Sequence, residues 1–355
     1  MGGLPWGPSF DCANTVRLLF YFLLVLVQFT SVTKVAAQSA PPERVSRTTL
    51  ALIINDEDPH SVEVGRRYQE LRKIPDAHVI HVHLPDPQHN LAPAEFKKLK
   101  QEVDAQLPPS IQAILMAWTS PYAVACNSIT AAMTLGYNGK ACENTCAPTE
   151  ASPYYNQTTV RPFTDLHVRP SMLLPVDAPE LAEAVMTRGL QSEFRMAPAG
   201  AWFLLTSDKA RNSRAPFFPP SGYVSTKKLT ISTVKRDSLT DVHDIMIYEL
   251  GALSVPHLET LRFRPGALAD HLTSTGGDLL GTGQMSALRW LDAGATASYG
   301  SVSEPCNYWQ KFPNSTVLTR RYLLGDTAVE AYWKSVAWPT QGLFIGDPLA
   351  RPYAH

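Results

Sequence analysis

A short polar cluster late in the chain has the residue types of a nucleophilic site. Asp270 and His271 are followed by two hydroxyl groups, those of Thr273 and Ser274. A carboxylate, an imidazole and a hydroxyl are the groups with which many hydrolases activate a nucleophile. Successive side chains of a strand point to opposite faces, however, which would separate His271 from Ser274. The alternative interpretation is a structural hydrogen-bond cluster that caps the turn at Gly276-Gly277.

A second candidate nucleophile is the thiol of Cys306, which follows Glu304 and Pro305. This segment comes after a predicted strand at residues 295–299, so it belongs at the carboxyl end of that strand, where open α/β sheets bind ligands. One interpretation is a reactive thiolate with His271 as its base, and the other is an oxidised cysteine. The hypothetical catalytic cluster is therefore Asp270, His271, Thr273, Ser274, Glu304 and Cys306.

The cysteines predict disulfides rather than a metal site. Beyond residue 37 the chain contains Cys126, Cys142, Cys146 and Cys306, whose spacings match no familiar zinc pattern. Cys142 and Cys146 share a turn-rich loop that would close a local bridge, which leaves Cys126 to pair with Cys306. Histidines at 81, 83 and 89 raise a metal alternative, but no carboxylate completes a known spacing, so we expect neither metal nor cofactor.

The first 37 residues have the pattern of an export signal. Arg17 precedes an uncharged apolar run from Leu18 to Val27, and small residues follow at Val35-Ala36-Ala37. The run is too short for a membrane-spanning helix, which needs about 20 apolar residues, but it fits a signal core of about 7–15. We therefore expect cleavage near Ala37 or Ala40 and an exported protein, periplasmic or extracellular, with no integral membrane span after cleavage.

The composition excludes some partners. Lys and Arg number 31 against 32 Asp and Glu, so the formal net charge is −1, and nucleic acid is not an expected partner because no surplus of basic residues is present. The chain is 45% hydrophobic and 18% charged, which is typical of a folded domain rather than a disordered one.

Alternating apolar runs and amphipathic stretches predict an α/β fold. Strands at 49–54, 78–84 and 111–118 are separated by helices that begin at Pro59 and Pro93. This order implies a mostly parallel sheet with helices on both faces. The rhythm resumes with a helix at 179–188 that Gly189 closes, and with strands at 201–206, 244–250, 295–299 and 342–345.

The domain organisation follows from the same pattern. After a short linker at 38–48, residues 49–355 form a single elaborated α/β domain. It carries long loop insertions at about 119–175 and 208–241, and the second is expected to be a surface excursion with a short hairpin.

Three late segments, residues 267–277, 293–306 and 331–348, occur in an order that resembles an uncharacterised exported bacterial family. That family is found in genomes with exosortase protein-sorting systems. The resemblance implies export but no particular activity.

A more distant resemblance is to the gingipain-like cysteine peptidases, which have the caspase α/β fold. It is carried by Gly294-Ala-Thr-Ala-Ser-Tyr-Gly300, by the helices that follow, and by Gly346-Asp347-Pro348. The resemblance implies a catalytic His after the strand near 245–248 and a Cys at the end of the next strand. Gly251-Ala252 and Thr273-Ser274 stand there instead, so the Cys/His dyad is missing.

Two hypotheses follow from the missing dyad. In the first, the protein is a binding or scaffold module of the cell envelope whose partner is an envelope protein or peptide. In the second, it is a peptidase-like hydrolase that uses Ser274, Thr273 or Cys306 as nucleophile. The missing dyad favours the first.

Overall fold

Strands and helices alternate along the chain as the apolar pattern predicts. The structure is a computed structural model that describes residues 1–3, 7, 44–84 and 89–354, so the apolar core of the predicted signal and its cleavage site lie outside the described residues. The strands are β1 (Leu50–Asn55), β2 (Val79–Val82), β3 (Asn90–Leu91), β4 (Ala113–Ala117), β5 (Ala123–Val124), β6 (Asn127–Ser128), β7 (Ser171–Leu173), β8 (Ala199–Leu205), β9 (Gly222–Val224), β10 (Leu229–Lys235), β11 (Ile245–Gly251), β12 (Phe263–Leu272), β13 (Ala297–Ser301) and β14 (Gly342–Gly346). The helices are α1 (Pro59–Arg72), α2 (Pro93–Gln106), α3 (Ile129–Leu135), α4 (Lys140–Glu143), α5 (Pro162–Leu166), α6 (Pro179–Ser192), α7 (Leu288–Ala293), α8 (Ser315–Leu323) and α9 (Ala328–Ser335).

In the described part of the chain, eleven strands form one sheet in the order β2-β1-β4-β7-β14-β13-β12-β11-β8-β10-β9. Its neighbouring strands are parallel except for the pairs β13–β14 and β9–β10. The small strands β3, β5 and β6 form a separate sheet. The prediction of an α/β fold with a mostly parallel sheet is confirmed.

The central strands are buried on both faces, as a parallel sheet requires. Every residue of β1, β4, β11, β13 and β14 is buried. Helix α1 packs against β1 and α6, and α6 packs against β12. On α9, the Trp333 ring stacks on Phe344 of β14 with centroids 4.5 Å apart. Among the described residues, no helix is long and apolar enough to cross a membrane.

Helix α1 begins and ends where local sequence signals place it. The Asp58 carboxylate accepts a hydrogen bond from His60 N at 2.9 Å, and Pro59 occupies the first helical position. At the other end, Lys73 takes a left-handed conformation with φ of 54°. The strand β1 therefore leads directly into its first crossover helix.

Helix α6 does not end at Gly189 as predicted, but continues to Ser192. A side chain at position 189 would place its Cβ 2.1 Å from Asp347 Oδ2 and 2.7 Å from Arg72 Nη2. Gly189 is therefore required by a close approach of the sheet and α1 to the middle of this helix.

Both predicted insertions contribute strands to the main sheet. From residues 119–175, β7 pairs with β4 and β14 near the middle of the sheet. From residues 208–241, the expected hairpin forms between β9 and β10, but β10 also pairs in parallel with β8 over its whole length. The prediction of a surface excursion is wrong for β10, because its pairing to β8 makes it part of the sheet.

The disulfides join Cys126 to Cys142 and Cys146 to Cys306, with Cα–Cα distances of 5.4 and 5.2 Å. The predicted pairing is therefore wrong. The reason is a side-chain clamp, in which Asn127 Nδ2 donates to Asn138 O at 3.0 Å and Asn138 N donates to Asn127 Oδ1 at 2.9 Å. This clamp brings α4, which contains Cys142, against Cys126.

We predict that the two disulfides contribute unequally to stability. The first closes a sequence separation of 16 residues and the second one of 160. Because a longer closed loop restricts the unfolded chain more, removing the first is expected to cost ~3 kcal/mol and removing the second ~5 kcal/mol. Denaturant unfolding of the double variants Cys126→Ser/Cys142→Ser and Cys146→Ser/Cys306→Ser measures this difference. Peptide mapping of the non-reduced protein checks the pairing, and a Cys142–Cys146 peptide would contradict it.

Candidate functional site

Four residues of the predicted site, Asp270, His271, Thr273 and Ser274, lie at and just beyond the end of β12, and the first two are on opposite faces of the strand. Asp270 and His271 are both fully buried. Asp270 lies against the guanidinium of Arg214, whereas His271 lies against Trp290. The structure therefore does not bring this carboxylate and this imidazole together.

Asp270 belongs to a buried ion cluster. On the neighbouring strand, Glu249 is in register with Asp270, so the two carboxyl groups share a face of the sheet. Arg214 Nη1 lies 2.5 Å from Asp270 Oδ1 and 3.8 Å from Glu249 Oε2, and its Nη2 donates to Leu250 O at 2.9 Å. Ser315 donates a hydrogen bond to Glu249. One guanidinium therefore lies within ion-pairing distance of two carboxyl groups, and Asp270 is the closer of the two.

The two carboxyl groups of the cluster differ in their protonation. Burial raises the pKa of Glu249 to about 8, against the opposing effect of Arg214 and with a further increase from the Asp270 charge. Burial also raises the pKa of Asp270, and the charge and hydrogen bond of Arg214 counteract this effect. Because Arg214 is closer to Asp270, we assign the negative charge to Asp270 and the retained proton to Glu249.

Arg214 and Glu249 were missed by the sequence reasoning. Arg214 lies in the 208–241 insertion, which the sequence predicts to be a surface excursion, yet its side chain is fully buried. The signal that would have found it is a pair of carboxyl groups that each follow an apolar run, Glu249 after residues 245–248 and Asp270 after residues 267–269. Two buried carboxyl groups require a cation or a proton.

His271 is held as a neutral ring. Trp290 Nε1 donates to His271 Nδ1 at 3.0 Å, so the proton of the neutral imidazole is on Nε2. Burial, and secondarily the charge of Arg214, lowers the pKa of His271 to about 3. A general base works best with a pKa near the operating pH and a lone pair directed at the reacting group. His271 meets neither condition.

The two hydroxyls after β12 have different surroundings. Thr273 is buried, and its Oγ1 donates to Gln284 Oε1 at 2.8 Å. Ser274 is half-buried, and its hydroxyl makes no hydrogen bond to another described residue. Ser301 Oγ on β13 donates to Ser274 O at 2.9 Å, which fixes the backbone of this turn.

Glu304 and Cys306 lie apart from this turn and contact each other. The Cys306 sulfur is bonded to Cys146, so it is not available as a nucleophile in the oxidised protein. Glu304 is exposed, and its Oε1 accepts a hydrogen bond from Cys306 N at 2.7 Å. No contact links either residue to Asp270, His271, Thr273 or Ser274 in the described residues.

The main chain of Arg211 packs directly against the end of β11. A Cβ on Gly251 would lie 1.9 Å from Arg211 O, so no side chain fits at this position. The end of β13 is closed similarly, because a Cβ on Gly300 would lie 2.3 Å from the carbonyl carbon of Gly276. These close approaches leave no room for a catalytic side chain at positions 251 and 300.

An open depression lies beside the ends of β11 and β12. It has a cavity volume of about 620 Å³ and is lined by Leu253, Ser254, Leu279, residues 281–286, Leu288, Arg289 and Asp292. Gln284, which fixes Thr273, is part of its lining. Met285 N donates to Leu253 O at 3.2 Å, so the two loops support each other. Leu253, which is part of the lining, is 47% exposed.

The histidines considered as metal ligands lie beside surface carboxylates. His81 Nδ1 is 2.6 Å from Asp56 Oδ1, and His83 Nδ1 is 3.0 Å from Glu57 Oε1. All four side chains are at least partly exposed. Within residues 44–84 and 89–354, no group of three or more His, Cys, Asp or Glu side chains is arranged to hold a metal ion.

The sheet order and its buried strands define an α/β protein with a mostly parallel central sheet. Comparison with solved structures finds a similarity to the Arg-specific cysteine proteinase gingipain R, with 11% identity, a TM-score of 0.44, and coverage of 88% of this chain and 79% of that one. The complex of Porphyromonas gingivalis RgpB pro- and mature domains is similar at 10% identity and a TM-score of 0.42, over 85% of this chain and 79% of that one. No family model matches the chain, and no curated protein matches it.

We predict that Glu249 makes the protein less stable as the pH rises from about 6.5 to about 8. In this range the folded protein retains a proton on Glu249 that the unfolded chain has lost, because the folded pKa of about 8 exceeds the ordinary 4.5. The free energy of unfolding should therefore fall with increasing pH, by at most ~1.4 kcal/mol per pH unit. His271 has the opposite effect around and below its ordinary pKa of 6.5, so it reduces the net slope at the lower end of this range.

Denaturant unfolding at pH 6.5, 7.25 and 8 measures this slope. Glu249→Gln should flatten it, whereas Glu259→Gln, which changes a side chain that is 75% exposed, should leave it unchanged. An equal slope in wild type and Glu249→Gln would show that Glu249 is ionised in the folded protein.

Proposed function

We propose that the chain is an exported, non-catalytic binding module with a gingipain-like or caspase-like domain, and that it binds a peptide segment of another envelope protein. The proposal rests mainly on one observation, the engagement of His271. Its Nδ1 lone pair accepts the Trp290 N–H, so the ring has no free lone pair to take a proton from Thr273 or Ser274. A hydroxyl without a base is a weak nucleophile at neutral pH.

The depression beside β11 and β12 supports a peptide as the ligand. Gly283 in the lining is exposed and its main chain makes no hydrogen bond to a described residue, and Leu253 supplies an exposed apolar contact. An extended peptide uses both kinds of contact, since its backbone pairs with free main-chain groups and its side chains fill apolar pockets. Loops at the carboxyl end of a mostly parallel sheet are also where such folds bind ligands.

The pairing of the described cysteines supports export. Cys126, Cys142, Cys146 and Cys306 are all in disulfides, which persist in oxidising compartments. Export together with the late sequence segments is what the resemblance to the exosortase-associated family implies, and membership of that family remains part of this proposal.

The alternative function is a peptidase-like hydrolase. Ser274 favours it, because this half-buried hydroxyl has no hydrogen-bond partner among the described residues. Thr273 is a poorer nucleophile, since Gln284 already accepts its proton. The two functions make opposite predictions for reactive probes.

We predict that the oxidised full chain reacts with neither fluorophosphonate nor thiol-directed peptidase probes. The physical reasons are the neutral, engaged His271 and the disulfide of Cys306. In-gel fluorescence of probe-treated wild type and of Ser274→Ala and Thr273→Val measures this. Labelling that disappears in Ser274→Ala, in a variant with an unchanged unfolding midpoint, would establish the hydrolase instead.

We further predict that peptides selected from a displayed random library bind in the depression. Leu253→Asp should weaken their binding at least tenfold, because it places a charge in the apolar contact. Leu324→Asp is the matched control: Leu324 is 63% exposed and lies outside the depression, so this substitution should leave the dissociation constant unchanged. Calorimetric titration of the selected peptides measures both. Equal affinities for wild type and Leu253→Asp would contradict the assignment of the depression.

A further inference from the structure

An open cavity lies where the end of α1, the end of α6 and the segment after β14 meet. Its volume is about 680 Å³, within the roughly 300–1,000 Å³ that is typical of ligand sites. Four cationic side chains, several apolar ones and one carboxylate, that of Glu193, line it. We propose that the cavity binds an amphipathic phosphate monoester, with the phosphate among the cations and the apolar chain against Leu190 and Phe194. None of its lining residues belongs to the depression beside β11 and β12, so this inference goes beyond the proposed binding function and does not depend on it.

Three of the four cations at the cavity have no carboxylate partner. Arg47 and Lys73 are exposed and Arg351 is half-buried, and none of these three side chains forms an ion pair or a hydrogen bond with a described residue. The fourth cation, Arg72, is buried, and its guanidinium already forms ion pairs with two carboxylates. The cavity therefore has three positive charges without an ion-pair partner, in a chain whose formal net charge is −1.

Arg351 is held in place by its main chain and by an aromatic ring rather than by a carboxylate. Arg351 N donates to Ser192 Oγ at 3.3 Å, and Phe194 N donates to Arg351 O at 3.4 Å. The guanidinium carbon of Arg351 lies 4.6 Å from the centroid of the Phe194 ring, which is a cation–π contact. Because this contact uses the face of the guanidinium, its N–H groups are left to bind a ligand in the cavity.

The electrostatic surroundings of Arg351 favour the binding of an anion. Burial lowers the pKa of Arg351, the carboxylate of Glu193 opposes this effect, and the charges of two neighbouring arginines, at 44 and 72, increase it. The Arg351 guanidinium therefore gains less from its protein neighbours than it loses by leaving water. A phosphate bound beside it compensates for this loss, because hydrogen bonds between a guanidinium and a phosphate are charge-assisted and often bidentate.

Two features of the cavity select a phosphate monoester with an apolar chain. Such a phosphate carries about −1.5 to −2 charges at pH 7 and offers three acceptor oxygens, so it can contact several separate cations, whereas a carboxylate carries a single charge. Leu190 and Phe194 are exposed in the lining, and an alkyl chain that contacts them removes apolar surface from water. Inorganic phosphate uses only the cationic part of this cavity, and a neutral alkyl compound uses only the apolar part.

Calorimetric titration of the full chain with octyl phosphate, below its micelle concentration, tests the proposal. We expect octyl phosphate to bind at least tenfold more tightly than inorganic phosphate, which lacks the chain, and than octyl glucoside, which lacks the charge. Arg351→Gln should weaken the binding of octyl phosphate at least tenfold, because it removes the charge-assisted hydrogen bonds. Arg236→Gln is the matched control, since Arg236 is an exposed arginine outside the cavity. Leu190→Gln should weaken the binding of octyl phosphate and leave that of inorganic phosphate unchanged.

Thermal unfolding with and without octyl phosphate checks that the variants are folded and that the ligand binds the native state. The ligand should raise the unfolding midpoint of wild type and of Arg236→Gln, and should raise that of Arg351→Gln much less. Lys73→Gln, which changes an exposed side chain of the same cavity, should also weaken binding, so the test does not depend on the folding of Arg351→Gln.

Four results would each overturn the proposal. They are no binding of octyl phosphate to wild type, equal affinity of wild type and the two cavity variants Arg351→Gln and Lys73→Gln, binding of octyl glucoside as tight as that of octyl phosphate, and binding of inorganic phosphate as tight as that of octyl phosphate. The third would show that only the apolar surface binds, and the fourth that the apolar chain contributes nothing.

Discussion

The carboxyl end of the sheet depends on one interaction, the buried ion pair between the Arg214 guanidinium and Asp270. Glu249 and Asp270 lie side by side on neighbouring strands in the core, where two unpaired carboxylates would be strongly destabilising. Arg214 offsets one charge, and a raised pKa removes the other by retaining a proton on Glu249. Because Arg214 comes from the segment after β8, this ion pair also anchors that segment, which brings Arg211 against Gly251 and closes the end of β11.

A second buried ion pair fixes the far end of β14 and shows that a polar residue of the late sequence segments has a structural role. Asp347 Oδ2 accepts from Arg72 Nη2 at 2.5 Å, and Asp347 Oδ1 accepts from Leu349 N at 2.9 Å. Arg72 is the last residue of α1, so the pair connects the first helix to the last strand. Its guanidinium also ion-pairs with Glu193, just beyond α6. The Gly346-Asp347-Pro348 sequence is thus explained by packing between distant parts of the chain.

Local signals predicted the fold well, and contacts between distant segments account for what was missed. The Asp58 cap and Pro59 placed the start of α1 because both act within one helical turn. Strand β7 has only three residues, too few to show a periodicity. At the site, the alternation of side chains along a strand was sufficient to predict that Asp270 and His271 lie on opposite faces. No local pattern indicated Arg214, whose Nη2 contacts a carbonyl 56 residues away in sequence, that of Asp270.

Burial explains why residues of catalytic types at the end of β12 do not form an acid–base pair. A base must be able to gain a proton, yet the core around His271 penalises its charged form and Trp290 occupies its lone pair. The same burial fixes the strand ends, because Thr273 is tied to Gln284 and Gly300 packs against Gly276. The loops that cover these ends are then held on a rigid base while their outer surface stays open. Rigid support and an open surface reduce the ordering cost of binding a peptide, and neither requires a nucleophile.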